Sequence, residues 1–243
     1  MTIKGYISEI FASFQGEGIN QGVIEYFIRF SGCNLRCQGC DTPYALENSS
    51  SFEFEGHKYN NPITAKQLRD IFDRLFVQYK EIYPINLTGG EPLLQAEFIK
   101  EFLDTLNYPG KIYLETNGTL PKNFLIIKDY IDFISMDWKL SSVYKIDRSI
   151  WEAHKEFLKL TKGIKIQVKI IVSKDMDIEE FEEALKNIHK IRKSISLIIQ
   201  PYTDGNNNFI GNFELYKSLF IKAEKYFSRV YLKPQLHKCL GIK

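Results

Sequence analysis

Hydrophobic and polar positions follow two rhythms along this chain. Short runs rich in β-branched and aromatic residues at 25–30, 83–87, 111–115, 132–137, 164–172 and 195–200 have the length and composition of strands. Between the later runs the apolar residues recur three and four apart. Over 64–80, Leu68, Ile71, Phe72, Leu75, Phe76 and Tyr79 keep that period behind Thr64, a residue type that caps a first helical turn. Strand and helix alternating from about residue 60 onward predict a mostly parallel sheet with crossover helices. With the run at 25–30 the count reaches six, so the expected α/β fold is an incomplete barrel of six parallel strands.

Residues 44–62 break the alternation. Asn48-Ser49-Ser50-Ser51 and Asn60-Asn61-Pro62 mark an irregular or hairpin insertion, in which Phe52, Phe54 and Tyr59 pack locally. No repeat or low-complexity linker divides the chain, and a single domain over 1–243 is expected.

The polar motifs fall where strands end. Thr88-Gly89-Gly90-Glu91-Pro92, Thr116-Asn117-Gly118, Asp137-Trp138-Lys139 and Gln200-Pro201-Tyr202-Thr203 each follow an apolar run. In parallel sheets the carboxyl ends of the strands form the ligand-binding face, so these segments are expected at one mouth. The Gly89-Gly90 pair lets a ligand approach the backbone closely.

The run at 25–30 leads into Cys33-Asn34-Leu35-Arg36-Cys37-Gln38-Gly39-Cys40. This C-x3-C-x2-C spacing gives three thiolates and no local fourth ligand. Four-iron clusters normally take four protein thiolates, so three leave one iron open to a chelating small molecule. Structural zinc is the competing reading, with Cys239, His57, His154, His189 or His237 as a fourth ligand, although the second paired hook of a zinc module is missing. A disulfide framework is disfavoured, because one short loop holds three of the 4 cysteines. Cys239 reads as a small buried hydrophobe, and His57, His154 and His189 as surface residues.

Composition narrows the classes further. The 243 residues are 44% hydrophobic and 26% charged with net charge +2, which gives no electrostatic reason to expect nucleic-acid binding. No apolar run approaches the ~20 residues that span a bilayer, and the first residues lack a signal-peptide core. A cytosolic location is expected, where thiols stay reduced.

Cys33, Cys37 and Cys40 followed by Thr88-Gly89-Gly90-Glu91-Pro92 resemble the radical S-adenosylmethionine (SAM) enzymes. That resemblance implies a [4Fe-4S] cluster on the three cysteines, with SAM chelating the unique iron and its amino group received by Gly89, Gly90 and Glu91. Reduction then cleaves SAM to a 5′-deoxyadenosyl radical that abstracts a substrate hydrogen, while the protein orients substrate and excludes water.

Both ends of the chain extend the likeness. The opening segment at 9–18, which contains Phe14-Gln15-Gly16-Glu17, the Arg29 strand, Cys40-Asp41-Thr42 and the closing segment at 235–243 resemble the 7-carboxy-7-deazaguanine synthase family. The resemblance implies rearrangement of 6-carboxy-5,6,7,8-tetrahydropterin with loss of ammonia, in queuosine and related deazapurine biosynthesis, with Mg²⁺ and regenerated SAM. By the same resemblance Phe14, Gln15, Gly16, Glu17, Arg29, Thr88, His237 and Lys243 face substrate. Gln15 and Glu17 offer a pterin's polar edge donors and acceptors, and the planar fork of Arg29 suits a carboxylate. Thr42 offers Mg²⁺ a hard oxygen. Glu115, Ser135, Lys139, Gln200 and Pro201 line the SAM side, with Asp137 as an alternative to Lys139. A flavodoxin or ferredoxin as electron donor and a homodimer are implied as partners. A glycyl-radical-enzyme activase and a non-catalytic iron–sulfur or zinc module remain as rival readings.

Overall fold

The computed structural model describes residues 2–204 and 207–241. From the N-terminus, β1 (Lys4–Gly5), β2 (Ile7–Phe14) and β3 (Ile24–Phe30) lead into the cysteine loop. Beyond it come β4 (Ser51–Phe54), β5 (His57–Asn60), β6 (Ile63–Thr64) and the first helix, α1 (Ala65–Tyr79). Strand and helix then alternate through β7 (Ile85–Gly89), α2 (Ala96–Thr105), β8 (Ile112–Thr116), α3 (Pro121–Ile127) and β9 (Phe133–Asp137). The chain continues through α4 (Ser141–Tyr144), α5 (Ile150–Leu160), β10 (Lys165–Val172), α6 (Ile178–Ile191) and β11 (Ser196–Pro201). It closes with α7 (Phe213–Glu224), β12 (Val230–Leu232) and α8 (Leu236–Leu240).

Local chemistry sets the helix starts. Thr64 and Gln67 form a reciprocal capping box on α1, and the Asp177 carboxylate accepts from Glu179 and Glu180 N–H at the start of α6. The apolar stripe of α1 is buried at Leu68, Ile71, Phe72 and Leu75, whereas Tyr79 at its end is exposed.

Eight strands form one open sheet in the order β12-β11-β10-β9-β8-β7-β3-β2, parallel throughout except for β2, which pairs antiparallel with β3. Six strands were expected. β12 adds only three partly exposed residues and carries no periodic signal, while β2 has no strict alternation of polar and apolar residues and reads as a binding motif rather than an edge strand. The insertion contains the antiparallel β4–β5 hairpin, whose Phe52 and Phe54 join the main core while Phe52 stacks on Tyr59 at 5.4 Å.

The strand period of two separates the faces of the sheet. Ile28, Leu87, Leu114, Ile134, Val168 and Leu197 are fully buried in one apolar core with the helices. The intervening positions line a cavity, and register aligns them. Arg29 pairs with Thr88, Glu115 with Ser135, and Asp137 with Lys169 on adjacent strands.

Candidate active site

Burial of one face leaves the concave face to carry the chemistry. It encloses a cavity of about 350 Å³, onto which Cys33, Cys37 and Cys40 open together with strand residues and the C-terminal segment. The cysteine loop is fixed from several sides. Gln38 N–H donates to the Tyr144 carbonyl (2.9 Å), and the Asn117 side-chain amide donates to Asn34 Oδ1 (3.0 Å). Gly39 lies against the Tyr202 hydroxyl at φ +71°, a left-handed conformation in which a side chain would strain the loop.

The donor set fits an iron–sulfur cluster. Burial pushes the Cys33 and Cys37 thiols up, and the neighbouring cysteine sulfurs push the same way, while Lys139 opposes the shift. Half-buried thiolates that repel one another call for a soft cation between them. Cys239 is exposed rather than buried and does not line the cavity.

Gly89 and Gly90 line the cavity, but the protein backbone is what excludes their side chains. A Cβ on Gly90 would sit 2.4 Å from the Gly32 carbonyl oxygen and 2.6 Å from that of Ala45; Gly89, at φ +148°, faces the Phe30 carbonyl. The pair seats β7 against the cysteine loop. Glu91 departs from the expected ligand role. It is fully buried, is absent from the cavity wall, and accepts from Leu93 N–H (3.0 Å), Thr116 Oγ1 (2.8 Å) and Asn117 N–H (2.7 Å). Burial raises its carboxyl to about 7 against those donors. A carboxylate between two loops is better satisfied by their peptide N–H groups than by a distant ligand, and it ties the β7 turn to the β8 turn.

At the opposite wall Glu17 lies in a polar web. Lys169 bonds one of its oxygens, while the side-chain amides of Gln200 (3.0 Å) and Gln235 (2.7 Å) donate to the other. Burial alone would raise Glu17, but the Lys169 ammonium and these donors hold it at about 2, fully ionised. Lys169 also pairs with Asp137 (3.1 Å), which pairs with Lys139 (3.1 Å), and Lys139 lies 4.3 Å over the Tyr144 ring. Asp137 and Lys139 thus line the cavity as a pair. Gln200 and Pro201 are buried outside the cavity wall, so Gln200 acts by holding Glu17, contrary to its expected contact with SAM.

Gln15 is likewise committed to the protein. Its amide donates to Glu25 (2.9 Å) and Glu115 (2.9 Å), and its oxygen accepts from Glu17 N–H. Glu115, expected on the SAM side, accepts from Thr88 Oγ1 (2.8 Å) and serves as an anchor for that side chain. Ser135 accepts from the Gln167 amide (2.8 Å). Arg29 donates through Nε to Glu9 (2.8 Å) and lies over the Phe11 ring, with Tyr44 bonded to the same Glu9 oxygen.

Thr42 Oγ1 lies 3.8 Å from the Cys40 sulfur, where the thiol-lined part of the cavity meets an oxygen-rich part. Ligand atoms of Glu17, Asp41 and His237 lie within 4.8 Å of one another beside it, a donor set with the hard oxygens that Mg²⁺ prefers. His237 packs against Gly16, where an added Cβ would meet Nδ1 at 2.1 Å, and Leu236 N–H donates to the Gly16 carbonyl (2.8 Å). Lys243 lies outside the described residues. His154 is not a surface residue: it is fully buried against Trp138, and burial lowers its imidazole to about 3. His189 is half-buried between Tyr226 and Phe227. Among the described residues no helix is long and apolar enough to cross a membrane.

The family model of the radical SAM superfamily matches residues 27–207. The chain is 30% identical over 244 residues to 7-carboxy-7-deazaguanine synthase of Geobacter sulfurreducens, covering 97% of this chain and 96% of that one. Its likeness to the synthase of Methanothermobacter thermautotrophicus is 31%, over 99% of both chains. The chain belongs to the 7-carboxy-7-deazaguanine synthase family of radical SAM enzymes. Among solved structures, QueE from Escherichia coli matches the fold with a TM-score of 0.58 at 21% identity over 95% of this chain and 94% of that one. A radical SAM methyltransferase from Sphaerobacter thermophilus matches at 0.57 and 10% identity, over 93% of this chain and 77% of that one. Synthase membership disfavours both rival readings, the activase and the non-catalytic metal module.

The sequence singled out most of the cavity wall but missed Lys169, Glu9 and Gln235. Lys169 lies within an apolar strand run, and its period-two alternation with Ile171 is the one signal that could have placed it on the cavity face.

Proposed function

We infer that this cavity is where 6-carboxy-5,6,7,8-tetrahydropterin is rearranged to 7-carboxy-7-deazaguanine with loss of ammonia, and that the chain is a radical SAM lyase built as a single domain. The observation that supports this best is the cavity itself, which joins three cysteine thiols to a wall with cationic Arg29 and anionic Glu17. Opposite charges at two positions suit a ligand with a carboxylate and a row of N–H donors.

Cys33, Cys37 and Cys40 would hold the cluster, and the Gly89-Gly90 backbone, Ser135 and the Asp137–Lys139 pair would receive SAM. When bound, the cluster and SAM supply a hydrogen-abstracting radical. Thr42, with Asp41 beside it, would hold Mg²⁺ against substrate oxygens. Arg29, its Nε bonded to Glu9, orients the substrate carboxylate, and Glu17 accepts N–H bonds from the pterin edge. Thr88 and His237 add polar contacts, and the exposed ring of Phe14 covers the mouth. A low-potential donor such as flavodoxin or ferredoxin would reduce the cluster, the reducing cytosol suits an oxygen-sensitive centre, and the family likeness supports a homodimer.

The test is anaerobic reconstitution with iron and sulfide, followed by reductant, SAM, Mg²⁺ and the carboxytetrahydropterin. Stoichiometric deazaguanine and ammonia are expected. Intact pterin in a sample that cleaves SAM would overturn the substrate assignment.

A further inference from the structure

Below the residues that face substrate lies a second pair of carboxylates that the reaction does not use directly. Glu25 on β3 is fully buried, and Glu115 on β8 reaches toward it. Two side-chain amides bridge them. Gln15 donates to Glu25 Oε2 (2.9 Å) and Glu115 Oε1 (2.9 Å), and Asn86 donates to the same two oxygens at 2.6 and 3.0 Å. Every amide hydrogen of both residues is thereby used. Thr88 donates to the remaining Glu115 oxygen.

The two carboxyls are not equivalent. Lys169 and Arg29 both face Glu115. Among the described residues, the side chains that act most strongly on Glu25 are carboxylate or amide and none is a cation. Glu115 and Tyr113 face it from β8, Asn86 from β7, and Gln15 and Asn20 from the segment after β2. Its second oxygen, Oε1, is buried without a hydrogen bond of normal geometry, the Asn20 amide being the side chain that faces the carboxyl there. An ionised Glu25 would leave that oxygen's charge unsolvated beside a like charge, whereas a protonated carboxyl presents Oε2 as a neutral carbonyl to both amides.

We propose that Glu25 and Glu115 hold a single proton between them, carried by Glu25, and that this pair positions Gln15 and Thr88 at the substrate wall. Glu25 is a positioning residue and touches neither substrate nor cluster. The role of the positioned residues rests on the synthase reading, but the protonation of Glu25 does not. Burial first, and Glu115 second, push the Glu25 carboxyl up to about 7. Below that value Glu25 is neutral. Above it, a second charge enters the web, the two carboxyls repel across the amide bridge, and Gln15 and Thr88 lose their fixed orientation.

The test uses the reconstituted enzyme and its Glu25→Gln variant, in which an amide reproduces the neutral carboxyl. Infrared spectroscopy should show a protonated-carboxyl band in the parent that declines as pH rises through the region near 7, and a smaller band in Glu25→Gln, where Glu91 alone of the two raised carboxyls remains. The kcat/KM of the parent should fall severalfold across the same range, chiefly through KM, with that alkaline fall flattened in Glu25→Gln. Iron content and SAM binding should be equal in both, which separates a positioning effect from misfolding. A parent whose band at pH 6 is no larger than that of Glu25→Gln would overturn the proposal. An alkaline fall unchanged in Glu25→Gln would overturn its positioning half. A parent that shows the band but forms no deazaguanine would contradict the substrate reading and leave the proton assignment standing.

Discussion

Lys169 sets the charge of the substrate wall. Glu17 sits where burial favours the neutral acid, yet the neighbouring ammonium keeps it ionised at about 2. Because this folded-state value is depressed, the ion pair contributes stability above the ordinary 4.5, and that contribution is lost as pH falls toward 2. In Lys169→Met burial is opposed only by His237 and the side-chain amides, so the acid limb of pterin binding should move up in pH. Lys169→Arg should restore the parent profile. Calorimetric titration of pterin from pH 4 to 8 checks this, and a Lys169→Met profile that matched the parent would contradict it. The sulfur ligands make a second prediction at this scale. Serine at Cys33, Cys37 or Cys40 should abolish cluster retention, whereas Cys239→Ser should keep full iron and sulfide content, since that thiol is exposed outside the cavity.

Among the elements, the turn after β7 couples the most parts. Its glycines fit against carbonyls of the cysteine loop, and Glu91 ties it to the turn after β8. In Gly90→Ala the new Cβ meets two backbone oxygens, neither of which can rotate away, so the cysteine loop must shift. Such overpacking costs ~1–3 kcal/mol and should lower cluster occupancy while the circular-dichroism spectrum stays native. Full iron content in Gly90→Ala would contradict the proposed seat. The strand-end loops and the cysteine run were legible in the sequence because each is contiguous and carries its own turn chemistry. The buried polar partners were not. Gln15 meets Glu115 across 100 residues and Lys169 meets Glu17 across 152, so nothing local marks these bonds. Glu91 illustrates a different difficulty: a carboxylate after two glycines reads as a ligand, yet nearby peptide N–H groups occupy it.

Across the whole molecule, the first and last segments close the cavity jointly. Gln21 donates to the Pro234 carbonyl (2.7 Å), Leu236 N–H to Gly16, and Gln235 to both Glu17 and Asp41. Hydrogen bonds to charged groups contribute ~1.5–3 kcal/mol each, so removal of residues 235–243 should weaken pterin binding by more than tenfold while cluster and SAM binding persist. Unchanged pterin affinity would show that the closing segment is not part of the site. The central claim is that these distant segments build one catalytic cavity of the synthase family, in which SAM is regenerated. Its most direct test is the anaerobic reaction with reductant, Mg²⁺, excess carboxytetrahydropterin and SAM at a tenth of the enzyme concentration. The account predicts deazaguanine in severalfold excess over the SAM supplied; pterin left intact while SAM is consumed to 5′-deoxyadenosine would contradict it.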